Sequence, residues 1–315
     1  MESTQYLLKD IPQKELEGAV CWQSPSNIAI IKYWGKRAGQ LPYNPSVSFS
    51  MEKSYTQTEI EFAFDPKQPR TIDYSFQGEP YPAFAVRIDT YLLQVEAYFP
   101  FLRNVHLKIN SFNTFPHSSG IASSASFFSS LALCLGSIEE SIFEGRIADD
   151  TFLRKASYLA RIGSGSACRS VYGGVAQWGQ TGALKGSSNQ FALSLNHVVH
   201  PVFKTYCNSI LLLGTGVKKL SSSAGHKLMD SHAWAKARYK QAEENFGRLL
   251  TVLAEGNQEE FAAIACNEAM SLHALLMTST PGTILLLPQT LRAIELITEF
   301  SKATQWLAMS VATAK

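Results

Sequence analysis

Three stretches of the chain concentrate small, hydroxylated and cationic residues in the way an anion site requires. The first is Asn113-Thr-Phe-Pro-His-Ser-Ser-Gly-Ile-Ala-Ser-Ser-Ala-Ser126. Pro116 and Gly120 shape a turn, and a helical pattern begins directly after it. A helix N-terminus offers unpaired N–H groups and the positive end of the macrodipole. Small side chains let a phosphate reach that backbone, and Ser123 or Ser124 can add a hydroxyl toward phosphate or magnesium. The same composition also suits a Ser-rich helix start packed tightly on a sheet. The residues alone leave both readings open.

The second stretch is Gly163-Ser-Gly-Ser-Ala-Cys-Arg-Ser170. Its glycines permit unusual backbone angles, Ser164 and Ser166 supply donors, and Arg169 supplies a planar fork suited to phosphate or carboxylate. A flexible surface loop with a solvated Arg is the plainer alternative. The third, Ser24-Pro-Ser-Asn-Ile-Ala-Ile-Ile-Lys-Tyr-Trp-Gly-Lys36, sets Lys32, Tyr33 and Lys36 beside a strand-like apolar core. Solvated lysines flanking a strand are the plainer reading there. Phosphate handling, if it occurs, is neither Walker-type nor Rossmann-type, because the chain holds no Gly-x-x-x-x-Gly-Lys-Ser/Thr and no Gly-x-Gly-x-x-Gly. Ser50-Met-Glu-Lys53 stands without the companions of a Ser-x-x-Lys enzyme and reads as chance. His197 and His200 fall on opposite faces of a strand-like segment, so no shared metal is expected from them.

The elements that must hold these stretches follow from periodicity. Residues 57–63 and 104–109 alternate as strands do, and Phe84, Val86, Ile88, Tyr91, Leu92 and Val95 recur at helical spacing. A buried helix is expected over 121–135 and a strand over 173–178. Beyond a polar stretch at 186–190, a strand is expected at 202–213 and helices at 229–254, 257–276 and 288–303. With 315 residues, 45% apolar and 17% charged, two domains with cores of their own are expected, 1–195 and 196–315, in the α+β class. A net charge of +2 gives no overall field toward nucleic acid or an acidic membrane, so any anion must be held locally. The N-terminal residues lack a continuous apolar run, no segment is long enough to span a membrane, and five dispersed cysteines read as free thiols. A cytoplasmic protein without nucleic-acid or membrane partners is the expectation.

Together, Asn27–Lys36, Phe115–Ala125 and Ala160–Ser170 with Gly173-Gly174 resemble the GHMP kinase superfamily and, within it, the diphosphomevalonate decarboxylases. The resemblance implies a GHMP-kinase-like two-domain fold with an inter-domain active-site cleft, ATP and Mg2+, and a homodimer in the family's manner. It implies ATP-dependent decarboxylation of 5-diphosphomevalonate to isopentenyl diphosphate in the mevalonate pathway. A mevalonate 3-kinase, a phosphomevalonate decarboxylase or a catalytically impaired ligand-binding relative are the alternatives it leaves. By position, Asn113, Ser119, Gly120, Ser123, Ser124 and Ser222 would meet ATP, with Ser124 at the metal. Tyr33, Lys36, Arg87, Ser164, Ser166 and Arg169 would hold the substrate, and Lys36, Ser124 and Arg169 would act at the reacting centre. Asn44 with Ser46 and Ser48 fits an Asn-Ser-Ser-x-Ser element with Pro45 in place of its first Ser. Lys219, Ser221 and Ser222 fit a Lys-x-x-Ser-Ser-x-x-Gly element with His226 where Met is usual. The family's late Asp falls in register with Ala312, which implies that the chain as written lacks its last strand and decarboxylates poorly.

Overall fold

The computed structural model describes residues 13–116, 121–145, 147–211, 213 and 220–304. They form two compact units, one drawn from 1–26, 52–117 and 122–172, the other from 27–51, 118–121 and 173–315. Two long strands, β1 (Leu16–Ile31) and β2 (Ser46–Phe64), contribute residues to both. Each unit mixes helices and strands, as the periodicity predicts.

In the first unit, β2 buries Thr56, Thr58, Ile60, Phe62 and Phe64 on one face and leaves Glu59 and Glu61 in solvent. This is the alternation of a half-buried strand. It pairs antiparallel with β5 (Val105–Asn113), with Ile60 opposite Ile109 and Phe62 opposite Leu107. On the far side of β5 lies β3 (Thr71–Phe76), parallel to it, followed by the short β4 (Glu79–Pro80). The crossover from β3 to β5 carries α1 (Pro82–Val95), which starts on Pro82 and buries Ile88, Tyr91, Leu92 and Val95. Next come α2 (Ser123–Ile142), α3 (Asp149–Gly163) and the single turn α4 (Ala167–Ser170). α2 is buried over most of its circumference, and its small residues make that possible. A Cβ on Gly136 would stand 2.7 Å from the Phe152 ring of α3.

In the second unit, residues 46–49 of β2 pair antiparallel with β6 (Val175–Trp178), which pairs with β7 (Ala192–Ser194). After the short α5 (Ser222–Lys227), two long helices form a hairpin, α6 (Ala235–Glu255) and α7 (Gln258–Met277). Gly256 ends α6 in the left-handed conformation (φ 78°), and the Asn257 side chain accepts from Glu260 N at 3.1 Å to start α7. Phe246, Leu249, Leu253, Phe261 and Ile264 pack with Ile30, Ile31, Val47 and Val175 in the core of this unit. A last helix, α8 (Pro288–Thr304), buries no residue.

The expected strand at 202–213 does not form. Pro201 opens a 3-10 turn (Pro201–Thr205) that His200 caps, its Nδ1 accepting from Val202 N at 3.2 Å. Phe203 then turns inward onto Phe261, with ring centroids 4.9 Å apart, and Ile210 and Leu211 stay exposed. Apolar content placed these residues in a strand, but the proline and its cap set the local backbone first.

Candidate active site

In the first unit the start of α2 has no side-chain cap, and Ala122 before it is left-handed (φ 48°). Its small residues divide between two tasks. Ser126 Oγ lies 2.6 Å from Thr56 Oγ1, which donates to Asn113 Oδ1 at 2.7 Å, and Ser130 Oγ lies 2.6 Å from Thr58 Oγ1. These hydroxyls bolt the helix to β2 and β5. Asn113 therefore braces the helix start from the end of β5. Ser123 and Ser124, one turn earlier, are only half-buried. The packing reading of this stretch thus applies to Ser126 and Ser130, while Ser123 and Ser124 stay half-buried at the helix start.

Arg87 of α1 donates through Nη2 to Ser124 Oγ at 2.9 Å. Its guanidinium lies 5.5 Å from the Phe84 ring centre and 5.0 Å from that of Phe128. Burial beside those rings lowers its pKa from the ordinary value. Phe128 also meets the second stretch, since a Cβ on Gly163 would collide with its ring. So glycine at 163 is what lets the end of α3 close onto α2. The Ser164 N–H caps α3 by donating to Ala160 O at 3.0 Å, and Ser164 O accepts from Ala167 N at 2.8 Å as α4 begins. Arg169 in α4 is 2% exposed. Its neighbour Cys168 is sealed in the same turn, and burial pushes its thiol up to about 12. Arg87, Ser123, Ser124 and the Ser164–Arg169 turn are therefore linked through one phenylalanine.

In the second unit Tyr33 and Lys36 sit on a turn with strong anchors. Tyr33 lies between Trp178 and His226, at ring-centroid distances of 4.7 and 4.4 Å. Its hydroxyl donates to Gln40 O at 3.0 Å, and Lys36 Nζ donates to Gln40 Oε1 at 2.8 Å. Burial, and then the Lys227 ammonium, lower the Lys36 pKa. His226 accepts from Gly35 N through Nδ1 at 3.0 Å, and burial followed by the Lys36 charge pushes its pKa down to about 3. A neutral imidazole is fixed there at neutral pH. Ser222 begins α5, whose preceding residue Ser221 accepts from Ala224 N at 3.1 Å. Asn44 is occupied by the fold, donating to Lys32 O at 3.0 Å, and Ser46 donates to Trp178 O at 3.1 Å. Ser119, Gly120, Lys219 and Ala312 lie outside the described residues.

Four cations of the protein fall into two groups. Lys155 and Arg238, both buried, are each paired with a buried carboxylate, Glu139 at 2.5 Å and Glu268 at 2.6 Å. Arg87 and Lys36 are held instead by neutral oxygens of Ser124 and Gln40, and neither has an ion-pair partner among the described residues. Buried charge needs compensation for stability. A cation tethered by a neutral acceptor keeps its charge for something else.

Residues 24–190 match the family model of the diphosphomevalonate decarboxylase-like N-terminal domain. The chain belongs to this family. A diphosphomevalonate decarboxylase of Ganoderma lucidum is 27% identical over 293 residues, which cover 89% of this chain and 70% of that one. The mevalonate diphosphate decarboxylase of Staphylococcus aureus superposes with a TM-score of 0.76 at 24% identity, over 95% of this chain and 86% of that one. MDDEF in complex with MVAPP, AMPPCP and magnesium gives 0.72 at 22% identity, over 95% and 88%. The resemblance read from the three motifs is thereby established, and with it the GHMP-kinase-like fold.

Within this diphosphomevalonate decarboxylase-like chain, sequence reasoning missed Gln40, Trp178 and the Arg238–Glu268 pair. Gln40 sits in the short turn after Lys36, but nothing in its residue type signals a double contact. Glu268 lies 236 residues from Lys32, whose backbone N–H it accepts at 2.9 Å. Helical spacing alone places Glu268 on α7 without showing that it turns inward.

Proposed function

We propose that the chain catalyses ATP-dependent decarboxylation of 5-diphosphomevalonate to isopentenyl diphosphate, as a lyase of the mevalonate pathway. The observation that carries this reading is the pair of cations, Arg87 and Lys36, held by neutral acceptors rather than carboxylates. Family membership supports the choice of substrate. Arg87, which the resemblance places with the substrate, is tied here to Ser124, so with Ser123 and Ser124 it would take the nucleotide phosphates, together with the uncapped amides of α2. Tyr33 and Lys36 would meet the substrate diphosphate, and Ser164, Ser166 and Arg169 would hold its carboxylate end.

The γ-phosphoryl group moves to the 3-hydroxyl oxygen as that oxygen gives its proton to water, and ADP departs. The new C–O–phosphate bond then breaks, phosphate leaves, and positive charge develops at C3. The bond to the carboxylate breaks next, carbon dioxide leaves, and its electron pair becomes the double bond. Cations fixed in advance offset the repulsion between two polyanions during transfer. A magnesium ion bound with ATP supplies further charge neutralisation at the transferring phosphate. The hard oxygens of Ser123 and Ser124 suit it, and no group of three His, Cys, Asp or Glu side chains converges among the described residues. Phosphate oxygens and water would complete its shell. The family resemblance extends the proposal to a cytoplasmic homodimer, which sedimentation of the purified protein tests.

The deciding assay offers ATP with mevalonate, its 5-phosphate or its 5-diphosphate, and follows ADP and carbon dioxide. Gas release from the 5-diphosphate alone is expected, at a low rate because Ala312 stands where the resemblance puts the family's Asp. Phosphorylated mevalonate without gas identifies a 3-kinase, and gas from the monophosphate a phosphomevalonate decarboxylase. Binding without ADP formation identifies a ligand-binding relative.

A further inference from the structure

Residues 36–42 form a closed turn: Lys36 and Pro42 make an antiparallel bridge, Arg37 N donates to Leu41 O at 2.8 Å, and Arg37 Nη2 donates to Pro42 O at 2.8 Å. Inside it, Gly39 and Gln40 are both left-handed, at φ 67° and 64°. Glycine adopts that conformation freely, whereas a side chain bearing Cβ adopts it at a cost. Gln40 is neither Gly nor Asn, so the turn geometry alone does not explain its presence. Its two oxygens do. The backbone oxygen accepts from the Tyr33 hydroxyl at 3.0 Å and the amide oxygen from Lys36 Nζ at 2.8 Å. Backbone strain of this kind gathers where a site must be held in shape.

We propose that Gln40 is a positioning residue, holding Tyr33 and Lys36 together with the ammonium charge left uncompensated for an anionic ligand. The inference rests on the functional reading above in naming 5-diphosphomevalonate as that ligand. The amide is the side chain that fits the task. Leucine of the same reach would leave the ammonium untethered, and glutamate would neutralise it and repel an incoming phosphate. With Lys227 nearby raising the local positive charge, a carboxylate at position 40 would form the kind of ion pair that Lys155 and Arg238 have and that Lys36 does not make among the described residues.

The test uses the full chain with Gln40→Ala, Gln40→Gly and Gln40→Glu. Steady-state kinetics give KM separately for 5-diphosphomevalonate and ATP, and pH-dependent acetylation of Lys36, read by mass spectrometry, reports its tether without ligand. Loss of one hydrogen bond to a charged group should raise KM for the diphosphate about ten-fold in Gln40→Ala and Gln40→Gly. The KM for ATP should stay within about two-fold, since the contact is to the substrate-binding pair. Gln40→Gly relieves the left-handed backbone, so its thermal midpoint should match or exceed wild type while its KM still rises, a split that a merely structural role would not give. Gln40→Glu should raise KM most and move Lys36 acetylation to higher pH. An unchanged diphosphate KM in both neutral variants, or an equal rise for ATP, overturns the proposal. If the wild-type chain neither binds nor converts 5-diphosphomevalonate, the functional reading fails instead. Acetylation then decides the contact by itself: faster labelling of Lys36 in Gln40→Ala supports it, and an unchanged rate overturns it.

Discussion

Glu268→Gln should unfold this protein at a markedly lower temperature although it changes one atom. Glu268 is fully buried and accepts four hydrogen bonds, two on each oxygen. Oε1 takes Arg238 Nη1 and Asn245 Nδ2, both at 2.8 Å, and Oε2 takes Arg238 Nη2 at 2.6 Å and Lys32 N at 2.9 Å. An amide NH2 must replace one oxygen, and either choice points it at an Arg238 donor. Arg238 is itself buried, so its charge is left without a counter-ion in low dielectric. Removing one partner of a buried pair costs about 3–5 kcal/mol. At about 2–4 °C per kcal/mol, the midpoint should drop by roughly 10 °C. Replacing both partners, Glu268→Leu with Arg238→Met, should recover most of the loss, because no buried charge then remains. Calorimetry and urea unfolding of wild type, single and double variants measure this. A single variant within about 1 kcal/mol of wild type would refute the idea that this pair is sealed from water, as would a double variant no better than the single one.

His226 gives a pH dependence of definite sign. Its folded pKa, about 3, lies below the ordinary 6.5, so stability is fully present above 6.5 and is lost as pH falls toward 3. His226→Asn keeps an acceptor for Gly35 N and does not titrate, so wild type should lose about 2 kcal/mol relative to it between pH 7 and 5 in urea unfolding, and a pH-independent difference would contradict the burial. At the start of α2, Ser124→Asp should stabilise the fold by up to about 1 kcal/mol through the helix dipole and a pair with Arg87. The same variant should lose ATP affinity by more than about ten-fold, because the guanidinium is then spoken for, and wild-type nucleotide binding would show that Arg87 faces no phosphate.

Local signals made much of this molecule legible. The alternation at 57–63, the helical stripe from Ile88 to Val95 and the long amphipathic pattern of α6 each specify an element by burial of one face. The three phosphate-type stretches were visible because small residues and cations cluster in sequence. What stayed hidden depends on approach between distant segments. Nothing in Gly163 says that it must be glycine for Phe128, thirty-five residues earlier, to lie against the end of α3. Likewise the serines of 123–130 look alike in sequence, and only the register of β2 opposite α2 assigns Ser126 and Ser130 to packing while leaving Ser124 to Arg87. The 202–213 segment failed for a converse reason. Its apolar residues satisfied the strand pattern, but a strand also needs a hydrogen-bonding neighbour, and the capped turn at Pro201 takes the first residues out of line.

The two groups of cations show how a chain with a net charge of only +2 can concentrate positive potential. Overall charge does not matter at a site if carboxylates are spent elsewhere. Here Glu139 and Glu268 are committed to Lys155 and Arg238 in the interior, and Glu96 to Arg70 and Arg103. Arg87 and Lys36 are left with hydroxyl and amide oxygens, which orient a cation without cancelling it. Such an arrangement gives up the ion-pair stability that a carboxylate would add, and activity is commonly maintained at that kind of cost. The fold offsets it with contacts that need no charge: aromatic rings beneath Arg87, and a neutral histidine and a tryptophan flanking Tyr33. Acceptor type thus separates Arg87 and Lys36 from the carboxylate-paired Lys155 and Arg238.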